Sequence, residues 1–253
     1  MNPKISIITV TFNCKEYLER TINSLKDQSF RDFEHIVIDG GSTDGTVDIM
    51  KKYLDRIAYW VSEPDNGIYD AMNKGLKAAR GDYVIFLNAG DTFYENTTLE
   101  KIPFEQHPDA GVFYGETMII NENGKKLGLR RKKLPHNLTW KHFKHGMVVC
   151  HQSVLVKRAI APMYNTGYRL SADIEWVLIS LKNSKKNVFT NSIISEFMEG
   201  GASIQNHKES LAERFTIMKT YFGLPVTILM HIVFVFSNLI VTVGIAHKYR
   251  KSF

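Results

Sequence analysis

The chain is poor in cysteine and proline: its 253 residues include two cysteines, Cys14 and Cys150, and seven prolines. Two thiols cannot supply a disulfide framework or a cysteine-rich zinc site, so a reducing compartment is expected. Acid is missing from Lys125 to Arg158, a stretch with ten Lys or Arg and four histidines (His136, His142, His145, His151). Asp, Glu, Lys and Arg are all missing from Thr220 to His247. A secretory leader is not expected, because Met1–Phe12 enters an apolar run with one early Lys and no small-residue cleavage site. No G-x-G-x-x-G follows that run, and no G-x-x-x-x-G-K-[ST] or G-x-S-x-G occurs anywhere. Dinucleotide, P-loop and hydrolase-elbow chemistry are therefore not expected.

What is present is ordinary globular composition, 44% hydrophobic and 23% charged, which argues against a disordered or coiled-coil chain. The length predicts one large domain, residues 1–222, with an appendage, residues 223–253. A net charge of +6 suits an anionic partner. The acid-free run 125–158 reads as a patch facing an anion, and Trp140 and Phe143 within it suit a membrane interface or a nucleic acid. In the appendage, Pro225–Ala246 is long enough to cross a bilayer core as a helix, at about 1.5 Å per residue against about 30 Å. Its polar residues Thr227, His231, Asn238 and Thr242 fall on one stripe. A spanning helix, an interfacial helix and a core helix all fit this pattern. The basic tail His247, Lys248, Arg250 and Lys251 opposes a single crossing from the cytosol.

Apolar runs and helical periodicity alternate along the domain. Strands are predicted at Ile5–Phe12, Phe33–Ile38, Ile57–Val61 and Tyr83–Leu87, with helices at Glu16–Gln28, Thr46–Leu54 and Ile68–Arg80. This order predicts an α/β fold, a Rossmann-like, mostly parallel sheet with helices on both faces. Further on, Asn121-Glu122-Asn123-Gly124 predicts a hairpin turn between Phe113–Ile120 and Gly128–Arg131. Strands at Met147–Val156 and Val188–Phe197 and helices at Asp173–Leu181 and 207–222 complete the reading. Ligands of open α/β sheets bind beyond the carboxyl ends of the strands. Those ends are Thr11-Phe12-Asn13, Asp39-Gly40-Gly41, Glu63-Pro64-Asp65-Asn66-Gly67 and Asn88-Ala89-Gly90-Asp91, and three of them set acid beside glycine.

The strings Glu63-Pro64-Asp65-Asn66-Gly67-Ile68-Tyr69-Asp70-Ala71-Met72-Asn73-Lys74-Gly75 and Ala79-Arg80-Gly81-Asp82-Tyr83-Val84-Ile85-Phe86-Leu87-Asn88-Ala89-Gly90-Asp91 resemble family 2 glycosyltransferases of the GT-A fold. Ser6-Ile7-Ile8-Thr9-Val10-Thr11-Phe12-Asn13 and Ile38-Asp39-Gly40-Gly41-Ser42-Thr43-Asp44-Gly45-Thr46 resemble the same family. The likeness covers about residues 4–205 and is greatest to the bacterial colanic-acid, exopolysaccharide and lipopolysaccharide branch.

The resemblance implies an inverting transfer from a nucleotide-diphospho-sugar, UDP favoured, to a hydroxyl of a lipid-linked glycan; Gln205-Asn206-His207-Lys208-Glu209 does not match the Q-x-x-R-W of the family's processive members, so a non-processive transfer of one sugar is expected. The resemblance also implies donor contacts through the backbone near Thr9 and Thr11 and through Asp39, Asp65, Asn73, Lys74 and Asn88, with Asn73 holding a loop. Asp91 is the implied ligand of a Mg²⁺ or Mn²⁺ that neutralises the leaving diphosphate. The family's D-x-D-like motif has an amide here, Asn88, in place of its first carboxylate.

Ser171-Ala172-Asp173-Ile174-Glu175-Trp176 resembles the family's E-D element, which makes Asp173 the implied base and Glu175 its rival. His151, Gln152 and Gly201 are implied on the acceptor or diphosphate side; Gly200-Gly201-Ala202-Ser203 resembles a closing loop, with His207 a further candidate for the metal. The basic run and the apolar appendage are expected to hold the cleft at a membrane surface, the cytoplasmic face of the inner membrane, with no nucleic-acid partner. Two other classes stay open: a catalytically idle sugar-binding scaffold, and a nucleotidyltransferase, which would need a basic glycine-rich loop that Thr11–Tyr17 does not supply.

Overall fold

β1 (Ile5–Thr11) is buried at every position, as a strand covered on both faces must be. It lies between β2 (Phe33–Asp39) and β4 (Tyr83–Phe86) and is parallel to both. β3 (Tyr59–Ser62) adds a parallel strand outside β2. A computed structural model describes residues 2–201, 206–242 and 249–250. Beyond β4 the sheet turns antiparallel through β8 (Val154–Lys157), β6 (Val112–Ile120) and β7 (Lys126–Arg130). β9 (Asn187–Met198) runs parallel along the other side of β6 and carries the short β5 (Thr92–Phe93).

Side chains alternate across this sheet. Ile8 and Val10 of β1 join Ile36, Ile38 and Phe86 beneath α3 (Ile68–Ala78) and α4 (Ala172–Asn183), where Met72, Leu76, Trp176 and Leu178 complete the larger core. On the other face, α1 (Lys15–Lys26) and α2 (Thr46–Lys52) lay Leu18, Ile22, Ile49 and Met50 over Val37. α3 comes so close to β1 that a Cβ on Gly75 would sit 2.4 Å from Ile8 Cγ2. The parallel register aligns Thr11 with Asp39 and Asp39 with Ser62, so three strand ends form one edge.

Two segments depart from the sequence reading. Of the expected strand Met147–Val156, only Val154–Lys157 is extended, and His151–Ser153 is a single 3₁₀ turn. Three consecutive buried polar residues cannot alternate as a strand requires; the turn lets each reach its own partner. Phe143 lies in the core rather than at a surface, and Trp140 stacks on Phe222 with centroids 5.7 Å apart. Both aromatics of the 140–145 turn thus make packing contacts within the protein.

The C-terminal segment folds as α5 (His207–Phe222) and α6 (Leu224–Thr242). Among the described residues no helix is long and apolar enough to cross a membrane. The expected stretch Pro225–Ala246 runs past them at residues 243–246. β10 (Tyr249–Arg250) then pairs antiparallel with β7.

His35, on the α1 face, is fully buried, and its Nε2 shares a hydrogen bond with Thr9 Oγ1 at 2.9 Å. Burial pushes its pKa down to about 3. The unfolded imidazole titrates near 6.5, so it binds the extra proton and stability falls as pH drops through the window from about 6.5 to about 3. The slope from this group is about 1.4 kcal/mol per pH unit. His35→Gln should flatten that part of the stability profile, measured by urea unfolding at each pH; a variant keeping the full slope would contradict this.

Candidate active site

The cleft begins at the aligned strand ends. Asp39 is buried, and its Oδ2 accepts the Gly41 and Ser42 N–H groups at 3.1 and 2.9 Å and the Ser62 hydroxyl at 2.6 Å. The Ser42 hydroxyl donates to Oδ1. Asp39 therefore curls the 40–42 loop around itself. Next to it the Phe12 ring is 59% exposed, and the Asp65 carboxylate lies against Gly40, where a Cβ would meet it at 2.5 Å. Asp65 Oδ1 also accepts the Gly67 N–H at 2.8 Å. An open aromatic face beside the Asp65 carboxylate offers stacking and N–H acceptance together.

The expected donor residues separate into groups here. Thr11 sits at the edge, with a buried hydroxyl that has no partner among the described residues. The Thr9 hydroxyl is committed to His35 inside the sheet, which leaves only its backbone for the expected donor contact. Asn73 clamps Tyr164, donating to its carbonyl at 2.9 Å and accepting its N–H at 2.7 Å, which is the loop-holding role expected of it. Lys74 pairs with Glu63 at 2.8 Å and donates to the Pro64 carbonyl at 3.1 Å, bracing the turn before α3.

The turn after β4 is tied to α1 by Thr21, which accepts the Gly90 N–H at 2.9 Å and donates to the Asp91 carbonyl at 2.8 Å. The Asp91 carboxylate points inward. Oδ1 accepts the Met198 N–H and Oδ2 accepts Gln152 Nε2, both at 3.0 Å. Burial pushes its carboxyl up to about 6, although those two bonds and the His151 charge pull the other way. Asn88 Oδ1 is buried without a hydrogen-bond partner among the described residues.

Gln152 also fixes the second half of the site, because its neighbour His151 reaches the other carboxylate. His151 Nδ1 lies 3.4 Å from Asp173 Oδ2, its ring packs edge-on to Phe86, and neither ring nitrogen completes a hydrogen bond. Asp173 opens α4, accepting the Ile174 N–H at 3.0 Å and the Tyr69 hydroxyl at 3.3 Å. Burial raises its pKa, but His151, Arg214 and the Ile174 N–H outweigh that and hold it below the ordinary value. Its side chain keeps 20% of its exposure. Glu175, two residues on, points to another side of the helix. It accepts the Tyr221 hydroxyl at 3.1 Å, which ties α4 to α5 and leaves Asp173 as the carboxylate facing the cleft. Gly201 is exposed and His207 opens α5; Ala202 and Ser203, also expected in the closing loop, lie outside the described residues.

Phe12 and Tyr69 were not singled out in the sequence. Their signal was position: Phe12 follows the first strand directly, and Tyr69 follows Gly67-Ile68 inside the motif that carries Asp65.

Among the described residues no three His, Cys, Asp or Glu side chains gather into a metal cage. The unpartnered Asn88 Oδ1 and His151 Nε2 beside the Asp91 turn still fit a hard cation that draws its remaining ligands from phosphate oxygens.

The chain matches the model of glycosyl transferase family 2 over residues 6–170. It belongs to that family, and Asp173 lies just past the matched region. It is 31% identical over 193 residues to a PGL/p-HBAD biosynthesis glycosyltransferase of Mycobacterium bovis, covering 72% of this chain and 71% of that protein. It is 26% identical over 216 residues to the Bacillus subtilis protein TuaG, named for teichuronic acid biosynthesis, covering 84% and 85%. The fold is shared with S. aureus TarS 1–349 in complex with UDP-GlcNAc, at a TM-score of 0.71 and 19% identity over 86% of this chain and 66% of that one. A mannosyltransferase from Pyrobaculum calidifontis, in complex with GDP-Man and Mn²⁺, gives 0.62 at 16% identity over 91% and 69%.

Gln152→Leu should leave the buried Asp91 carboxylate with one donor and cost about 1–3 kcal/mol of stability. Denaturant midpoints at neutral pH check this; an unchanged midpoint would show that Gln152 does not hold Asp91.

Proposed function

We propose that the protein transfers a single sugar, with inversion, from a nucleotide-diphospho-sugar to a hydroxyl of a lipid-linked glycan in bacterial cell-surface polysaccharide assembly. The observation that carries this is the pairing of Asp173 and Asp91 by adjacent residues of one turn, with Asp173 ionised and open to the cleft. Family membership and the names of its relatives support the reaction class. The UDP-GlcNAc complex of TarS supports a UDP-sugar donor.

The nucleobase stacks on Phe12 beside the Asp65 carboxylate, which accepts its N–H or ribose hydroxyl donors, and the loop that Asp39 curls around itself forms the floor. The diphosphate lies towards Asn88, Asp91 and His151. Asn88, Asp91 and the donor phosphates would hold a Mg²⁺ or Mn²⁺ there, which would supply Lewis-acid stabilisation of the leaving diphosphate. Asp173 accepts the proton of the attacking hydroxyl, and His151 and Tyr69 keep its carboxylate aimed. Attack from the face opposite the nucleotide inverts the anomeric carbon.

We place this reaction at the cytoplasmic face of the inner membrane. α6 exposes Val235 at 68%, Phe236 at 62% and Leu229 at 57%, while the 140–145 turn packed on it exposes Lys141 and Lys144. An apolar face flanked by cations suits an anionic bilayer surface. Because β10 returns to β7, both flanks of α6 are fastened to the domain, which favours a helix lying on the membrane over one crossing it.

Two measurements test these assignments. The full chain, given UDP-, GDP- and dTDP-sugars with Mn²⁺, should release one nucleoside diphosphate, and Asp173→Asn should bind that donor normally while losing about 10²–10⁴ in turnover. Near-full turnover in Asp173→Asn would remove it as the base. Val235→Glu with Phe236→Glu should weaken sedimentation with phosphatidylglycerol vesicles about tenfold or more without changing donor breakdown. Unchanged sedimentation would remove α6 as the membrane contact.

A further inference from the structure

A second polar cluster adjoins the cleft, and of its members only Arg214 bears on the steps above, through its charge on Asp173. Arg130 ends β7, Lys132 follows it, and Arg214 lies in the middle of α5. None of the three enters an ion pair among the described residues. Arg130 Nη2 donates to the Met147 carbonyl at 3.2 Å, but Arg130 Nη1 and Arg214 Nε are buried with no hydrogen-bond partner among the described residues. The Lys132 ammonium donates to the His145 carbonyl and lies 5.3 Å from the Phe234 ring centroid on α6, on a residue that is otherwise exposed. Crowding by surrounding atoms, and then by Arg130, Arg214 and Arg131, pulls its pKa down to about 8.

Like charges gathered around unpaired buried N–H groups are a cost in the protein alone, and an anion removes it. The position says which anion. Arg214 is near enough to Asp173 to stabilise its carboxylate, and Arg130 near enough to Cys150 to oppose the rise that burial imposes on that thiol. The cluster therefore borders the His151 turn from β7 and α5, whereas the proposed donor diphosphate enters from β4. Phe234 and the exposed face of α6 adjoin it on the outside.

We infer that Arg130, Lys132 and Arg214 form a binding site for the phosphate or diphosphate of the acceptor lipid, with its hydrocarbon chain leaving along α6. Assigning that phosphate to the acceptor rests on the reading of Asp173 as base; the anion site itself does not.

The test uses the full chain saturated with UDP, which fills the donor site, at constant ionic strength. Inorganic pyrophosphate and geranyl diphosphate are titrated by calorimetry. Both should bind, in competition with each other. Lys132→Gln and Arg214→Gln should each weaken them about tenfold, with UDP affinity unchanged, and Arg214→Lys should restore part of the loss. No binding to the UDP-saturated protein, or equal binding by both Gln variants, overturns the site. Displacement of geranyl diphosphate by phosphatidylglycerol vesicles also overturns it, because the cluster would then be contacting bulk lipid. Should Asp173→Asn turn over normally while Lys132→Gln still loses pyrophosphate, the base assignment fails and the anion site stands.

Discussion

Two adjacent side chains reach in different directions, and the site depends on that. Gln152 holds Asp91 at 3.0 Å and His151 sits 3.4 Å from Asp173. One carboxylate comes from the turn after a central strand, the other from the start of a helix more than eighty residues later. The 3₁₀ turn between β6 and β8 is where they meet. Ser153, the third residue of that turn, fixes it from below through the hydroxyls of Thr117 and Ser195, both at 2.7 Å. Phe86, Tyr164 and Trp176 close the space behind His151 with edge-on and stacked ring contacts. Little room is left for either carboxylate to drift.

The opposite environments of the two acids follow from this arrangement. Asp91 receives only neutral donors and is sealed in, so burial dominates and its proton is held more tightly. Asp173 has an imidazole, the Arg214 guanidinium and a backbone N–H, and stays ionised. A carboxylate that is ionised and partly open suits proton acceptance; one that is sealed and braced suits holding a turn or a cation in place.

Much of the fold was legible because its centre is built from fully buried parallel strands. Tyr83–Leu87 is a continuous apolar run ending at Asn88-Ala89-Gly90, and Ile5–Val10 is broken only by the small hydroxyl residues Ser6 and Thr9, so both allow few other readings. The outer sheet was harder. β9 follows β6 with register shifts and a positive φ at Asn191, and β5 and β10 are two residues each, held only by their partners. In the site, the placement of Asp173 at a helix start was readable from the sequence, and the hold of Asn73 on a loop from its motif. The His35 partner of the Thr9 hydroxyl and the Glu63 partner of Lys74 were not, because tertiary contact sets both. The sequence also overstated the interface character of Phe143, since an aromatic between lysines reads the same whether it faces in or out.

The central claim is that the strand edge at Asp39 and the His151–Gln152 turn belong to one cleft. A crystal structure of the full chain with a bound nucleoside diphosphate tests it most directly. The account predicts the base against Phe12, beside Asp65, and the terminal phosphate between Asn88 and His151, with Asp173 across the open space beyond it. A nucleotide bound elsewhere, or one whose phosphates turn away from Asn88 and His151, would contradict it.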